Sequence, residues 1–219
     1  QGILDSLLRI RDILIYQHNG LFQHLVDDLI SKVHVFGLHF ASLDIRQDSS
    51  IHHLAMEAIA EKSPALPNNY GSLPDEEKIN LLVNAEADLS EEDFDDPLIK
   101  DTIQSIKVVK QIQQYNGPEG CNRYIISHSN SALNVLQVYG LFLMCGWKKE
   151  AVKIDIIPLF ETVEDLRMAG AVMEELYANK EYMRHLKSRK SRQTIMLGFS
   201  DGTKDGGYFM ANWSIYKAK

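Results

Sequence analysis

The sequence is short of cysteine, of basic charge and of long apolar runs, and each shortage excludes something. Cys121 and Cys145 are the only 2 cysteines in 219 residues. Two thiols without metal-ligand spacing fit a reducing compartment better than a disulfide scaffold. A formal net charge of −7 argues against a nucleic-acid surface, whose footprint is basic. No uninterrupted apolar run is long enough to cross a membrane, and the amino end has no signal-peptide core. The chain is therefore expected to be soluble and cytoplasmic. Internal repeats and low-complexity tracts are absent. Gly198, Gly202, Gly206 and Gly207 match neither a Walker nor a dinucleotide fingerprint. The acidic stretch around Glu91-Glu92-Asp93-Phe94-Asp95-Asp96 lacks the alternating ligands and central glycine of a calcium loop. His52 and His53 are adjacent, so on a helix they point about 100° apart and do not share a metal easily.

What is present is an alternation of helical and strand patterns. Residues 2–31 carry Ile3, Leu7, Ile10, Leu14, then Leu21, Leu25 and Leu29 at helical spacing, with a break expected near Asn19-Gly20. Residues 38–46 read as a strand whose Asp44 and Arg46 share one face while Leu43 and Ile45 share sides on the other. Helix is expected over 50–62 and again from Ser72, read as a cap with Asp75 three positions on. Residues 68–101 read as an acidic, solvated insertion. Helix over 97–114, strand over 123–127, helix over 131–145 and strand over 153–160 follow. A long helix over 163–186 is expected to be capped by Thr162 with Asp165. A basic connector over 187–192, a fourth strand over 194–199 and a last helix over 207–216 complete the chain. Strands separated by helices point to parallel β-α units. The fold class is helix-rich α/β, a partial (β/α)8 barrel of the TIM type with about four of the eight strands that closure needs. Its outer strands need cover. The chain opens at Gln1 inside a helical pattern, so 1–219 is expected to be one internal piece of a longer protein.

Two strand ends deliver carboxylates: Phe160-Glu161-Thr162, and Gly198-Phe199-Ser200-Asp201-Gly202-Thr203-Lys204-Asp205. In an α/β barrel the carboxyl ends of the strands carry the chemistry. Glu161 and Asp201 are candidates for a magnesium site, since magnesium commonly takes one or two carboxylates with water and substrate completing the shell. The competing readings are a helix-start anion for Glu161 and a turn residue for Asp201. Arg46 has the planar fork suited to a carboxylate or bicarbonate, or else pairs with Asp44 or Asp48. Lys204 places a point charge near a substrate phosphate, or else is solvated. His128 follows Ser127 at a strand end, and a Ser-His dipeptide is no catalytic pair without independent geometry.

Four stretches together resemble phosphoenolpyruvate carboxylase, in that family's order: Leu43-Asp44-Ile45-Arg46-Gln47-Asp48-Ser49, Arg123-Tyr124-Ile125-Ile126-Ser127, Pro158-Leu159-Phe160-Glu161-Thr162-Val163-Glu164-Asp165-Leu166, and residues 198–206. The resemblance covers most of the chain beyond about residue 30. It implies a far longer, helix-rich barrel enzyme, typically a homotetramer: a carbon-carbon lyase of carbon dioxide fixation that feeds oxaloacetate to the tricarboxylic acid cycle. It implies that Glu161 and Asp201 hold the divalent metal (Mg²⁺ or Mn²⁺). It implies also that Arg46 helps hold bicarbonate or the carboxyphosphate made from it, and that Lys204 supports the anions alongside. In the family reaction bicarbonate attacks the phosphate of phosphoenolpyruvate, giving carboxyphosphate and the pyruvate enolate; carboxyphosphate splits into phosphate and carbon dioxide, which the enolate captures to give oxaloacetate. Ile51 stands where the family usually has arginine, Asp48 where it has glutamate, and His128-Ser129 where it has Met-Ala. The family's catalytic histidine, its glycine-flanked arginine loop and its inhibitor site have no counterpart here, so the piece is expected to be inactive alone. Two other readings remain open: a different magnesium-dependent barrel enzyme acting on phosphoenolpyruvate or pyruvate, and a non-catalytic interaction domain.

Overall fold

The computed structural model of the protein describes residues 2–37 and 39–219. Helices α1 (Gly2–Gln17) and α2 (Gln23–Phe36) open the chain. The expected break between them is present, because Asn19, Gly20 and Phe22 all take positive φ, which no helix continues through. The pair packs chiefly on itself. α1 has no buried residue, and α2 buries only Ile30.

The first strand is shorter than its alternating pattern predicts. β1 is Asp44–Asp48 rather than 38–46, and Leu38 lies outside the described residues. Gly37 and Phe40 adopt φ of 53° and 63°, conformations that a strand does not hold. Pairing begins only where a partner exists, at Asp44 opposite Arg123. Then come α3 (Ser49–Lys62), α4 (Asp75–Val83), α5 (Pro97–Asn116), β2 (Arg123–Ser127) and α6 (Ala132–Met144). β3 (Asp155–Phe160), α7 (Val163–Ala178), α8 (Lys180–Ser188), β4 (Met196–Leu197) and α9 (Phe199–Ala218) complete the fold.

Among the described residues the strands form one parallel sheet of 4 in the order β1-β2-β3-β4. Each strand lies beside its successor and each crossover carries helix, the mark of repeated β-α units. The molecule is thus helix-rich α/β. Its two sheet faces differ. Tyr124, Ile126, Ile156 and Phe160 join the main core with the helices. Ile125, Ile157 and Leu159 form a second small apolar cluster, with Met196 against it. The register sets Arg46 opposite Ile125, and Ile125 opposite Ile157. Side chains alternate along a strand, so Arg46, Asp48 and Ser127 belong to this second face, and Glu161 continues it just past β3.

Several local expectations need correction. Ser72 does not cap α4: its hydroxyl donates to the Asn69 carbonyl within a 3-10 turn, Tyr70–Ser72, and Pro74 stands at the cap position. The acidic stretch is solvated along its carboxylates but is not a solvated insertion throughout. Its Tyr70, Leu82, Leu89, Phe94 and Ile99 are buried in the main core. The helix expected over 163–186 is two, split at Asn179, whose side chain accepts from the Glu181 and Tyr182 amides to start α8. The last helix expected over 207–216 is present, but a further helical segment runs into it from Phe199, the two meeting at a kink at Gly207, with φ of 80°. That early start leaves β4 only 2 residues. No helix among the described residues is long and apolar enough to cross a membrane.

Candidate functional site

Glu161 is set where β3 hands over to α7. The handover is fixed by a capping box: Thr162 Oγ1 accepts from the Asp165 amide at 3.0 Å, and Asp165 Oδ2 accepts from the Thr162 amide at 3.0 Å. These two residues satisfy the helix start, so Glu161 is not needed as its anion. The Glu161 side chain instead turns to the second sheet face and is buried, with 4% exposure. Its Oε1 accepts from Arg46 Nη2 at 2.9 Å. Its Oε2 accepts from the backbone N–H of His128 at 2.9 Å.

Arg46 therefore pairs with neither Asp44 nor Asp48. Asp44 is held by Arg123 Nε at 2.7 Å. Asp48 is held by the imidazole of His128, Nδ1 to Oδ2 at 2.5 Å. The other Asp48 oxygen caps α3, accepting from the Ser50 amide at 2.9 Å. Burial pushes the Asp48 carboxyl up, but the hydrogen bonds from His128 and Ser50 outweigh it and bring the carboxyl down to about 2. The same bond to Asp48 raises His128 above the ordinary histidine range. Reading the sequence names His128 and Asp48 but joins neither to the site. Their meeting follows from the strand register, which sets Asp48 opposite Ser127 and which local sequence does not show.

Asp201 lies in the first turn of α9 and not in a loop after β4. It is half-exposed, and Lys204 Nζ sits 3.3 Å from its Oδ1. Two hydrogen bonds and a close backbone approach press this turn onto the end of β3 and the start of α7. The Gly198 amide donates to the Phe160 carbonyl at 2.8 Å, and Asp205 Oδ2 accepts from the Val163 amide at 2.9 Å. A Cβ on Gly198 would stand 3.1 Å from Glu161 Cα, so the absence of a side chain there permits the approach. Glu161 and Asp201 thus leave neighbouring parallel strands at the same, carboxyl end. Arg46, Glu161, His128 and Asp48 are brought into one contact chain, while Asp201 and Lys204 form an adjoining, exposed pair.

Among the described residues no group of three or more His, Cys, Asp or Glu is arranged to hold a metal. The donor chemistry fits an open magnesium-type site. Carboxylate oxygens are the hard ligands that ion takes, one or two carboxylates suffice, and water and substrate complete the shell. Each Glu161 oxygen accepts one bond here and retains a further lone pair.

The family model described as phosphoenolpyruvate carboxylase matches residues 1–219. The chain belongs to the phosphoenolpyruvate carboxylase family. It is 37% identical to the phosphoenolpyruvate carboxylase of Nitrosomonas eutropha over 98% of its own length and 24% of that protein's. It is likewise 37% identical to the Thermosynechococcus vestitus phosphoenolpyruvate carboxylase, over 95% of this chain and 22% of that one. The match to the Nitrosomonas europaea enzyme is 34% over 98% of this chain. The chain therefore spans about a quarter of the length of these relatives. Three of the stretches that carry the family resemblance, residues 43–49, 158–166 and 198–206, supply Arg46, Asp48, Glu161, Asp201 and Lys204, and His128 directly follows the fourth, 123–127.

Proposed function

We propose that this chain supplies the metal-bearing side of a phosphoenolpyruvate carboxylase active site, in a protein that carboxylates phosphoenolpyruvate with bicarbonate to oxaloacetate and phosphate. The observation that carries the reading is that Glu161 and Asp201 emerge at the same end of adjacent parallel strands, with Arg46 already bonded to Glu161. Glu161 and Asp201 would hold Mg²⁺ or Mn²⁺, and the ion when bound offsets negative charge developing on enolate and phosphate oxygens. Glu161 is held in one orientation by two donors, so little reorganisation is needed as charge develops. Arg46 keeps a half-exposed guanidinium beyond its bond to Glu161, and its free N–H groups suit a planar bicarbonate or the carboxyphosphate made from it. Lys204 is exposed beside Asp201 and offers a mobile ammonium to the phosphate.

The sheet reads as part of a (β/α)8 barrel. Its second face carries a small apolar cluster, Ile125, Ile157 and Leu159 with Met196, and turns polar towards the carboxyl end of the strands, as a barrel lining does at its mouth, and the strand order follows the chain. The remainder of the parent chain would pair with β1 and β4 and cover the exposed apolar residues of α1, α2 and α9, among them Ile3, Leu25, Phe209 and Trp213. The full-length protein would be a cytoplasmic homotetramer of carbon dioxide fixation, and this quarter would not turn over by itself.

Two measurements test the reading. A coupled oxaloacetate assay with magnesium, phosphoenolpyruvate and bicarbonate should find turnover in the full-length protein and none in this chain. In the full-length protein Asp201→Asn should weaken Mn²⁺ binding and lower kcat by about a hundredfold or more, the scale on which loss of one charge-stabilising group acts. A Mn²⁺ titration of Asp201→Asn superimposable on the wild type would remove Asp201 from the site.

A further inference from the structure

His128 holds an unusual backbone. Its φ is +49°, in the left-handed region that a non-glycine residue enters at a cost and keeps only when its surroundings over-determine it. Three contacts do so. Its carbonyl accepts from Ser49 Oγ at 2.8 Å, its imidazole Nδ1 is bonded to Asp48, and its own N–H donates to Glu161 Oε2 at 2.9 Å. Imidazole Nε2 also lies 3.8 Å from Glu161 Oε2, beyond hydrogen-bond range but within electrostatic contact. The His128 N–H belongs to the peptide unit that leaves β2, and the left-handed turn that follows it carries the side chain and carbonyl of His128 to Asp48 and Ser49. The partners that hold the turn come from the end of β1 and the start of α3. Three consecutive strand ends are thereby linked through one residue.

We infer that His128 is a positioning residue for Glu161: clamped by Asp48, its side chain fixes the place of residue 128 and of the N–H bonded to Oε2, and so holds the carboxylate presented to the cation. The inference rests on the reading of Glu161 and Asp201 as metal ligands. It assigns to the His128 side chain a share of metal affinity although that side chain is no ligand. Partners that orient ligands commonly carry about ten- to a hundredfold in affinity or activity.

The backbone and the side chain can be separated at this position. His128→Gly adopts the left-handed conformation freely but has nothing to anchor it. His128→Asn tolerates the same conformation and keeps an amide donor near the place of Nδ1, facing Asp48. The readout is Mn²⁺ affinity of the full-length protein, from the electron paramagnetic resonance signal of free Mn²⁺, with thermal melting run alongside. His128→Gly should weaken Mn²⁺ about tenfold at nearly unchanged melting temperature, and His128→Asn should recover affinity to within about threefold of the wild type. Wild-type affinity in His128→Gly, with affinity lost in Asp201→Asn, overturns the inference and leaves the metal site standing. His128→Asn binding as weakly as His128→Gly overturns the role given to the Asp48 clamp. Wild-type affinity in Asp201→Asn removes the metal site itself, and this inference with it.

Discussion

Arg46 reaches Glu161 across 115 positions of sequence with a single nitrogen, and the buried carboxylate has one other donor, the His128 amide. Arg46→Ala would leave one oxygen of a buried charge without a protein partner. An unsatisfied group of this kind costs about 1–3 kcal/mol. The lower half of that range is expected here, because the Arg46 side chain is 53% exposed and solvent screens the pair. The measurement is the urea midpoint of this chain with and without the substitution, and coincident curves would mean the pair adds no stability. Arg46 also shows where sequence reading stops at this scale. Its charged neighbours along the strand, Asp44 and Asp48, are the natural guesses. Asp44 is taken by Arg123 and Asp48 by His128, and only register shows that Glu161 is the carboxylate left on the same face.

Secondary-structure elements follow the local sequence wherever their ends are made by local bonds. The Thr162-Asp165 capping box was legible because both partners lie within one turn of each other. β2 matches its expected span because five consecutive apolar or β-compatible residues are bounded by turns on both sides. Asn179 was not legible. It interrupts a helical pattern that resumes at once in Tyr182 and Leu186, and its capping role depends on the chain bending there to bury those side chains. Asn179→Ala removes the acceptor for two amides and should destabilise this chain by about 1 kcal/mol. Asn179→Ser should recover most of that loss in the same denaturation measurement. β4 and α9 failed for the opposite reason. Residues 194–199 have strand character, but only Met196 and Leu197 find a partner, Leu159 and Phe160. Gly198 then turns the chain into a helix packed on Glu161.

Across the whole molecule two buried histidines set an acid limit. Burial pushes His52 down to about 4. His185 is likewise brought to about 4 by burial, with Arg189 adding to the effect. The unfolded chain protonates both rings below about 6.5 while the folded chain does not. Their contribution is therefore complete above pH 6.5 and is lost as the pH falls from there towards 4, on the order of 3 kcal/mol for each ring. Asp48 does not offset this loss, because its own contribution persists until the pH falls below the ordinary carboxylate range. His128 acts with the opposite sign: its raised pKa stabilises below pH 6.5, and that contribution disappears as the pH rises through the folded value. Thermal melting of this chain should show a steep fall between pH 6.5 and 4.5. Replacing His52 and His185 by glutamine should flatten it, and an unchanged slope would mean that other groups set the limit.

Composition, apolar periodicity and four short motifs were enough, by themselves, to determine the α/β alternation, the family and the candidate acids. Each of those is written in contiguous residues, where helix and strand periods and caps operate within a few positions. Tertiary structure alone decided which carboxylate Arg46 takes, that Asp201 sits in a helix and not a loop, and that His128 is bent onto Glu161. Those outcomes depend on parallel register between strands about 80 and 35 residues apart, which places strand ends side by side. Local sequence does not encode a partner that distant, so only the folded sheet could choose among the competing charges.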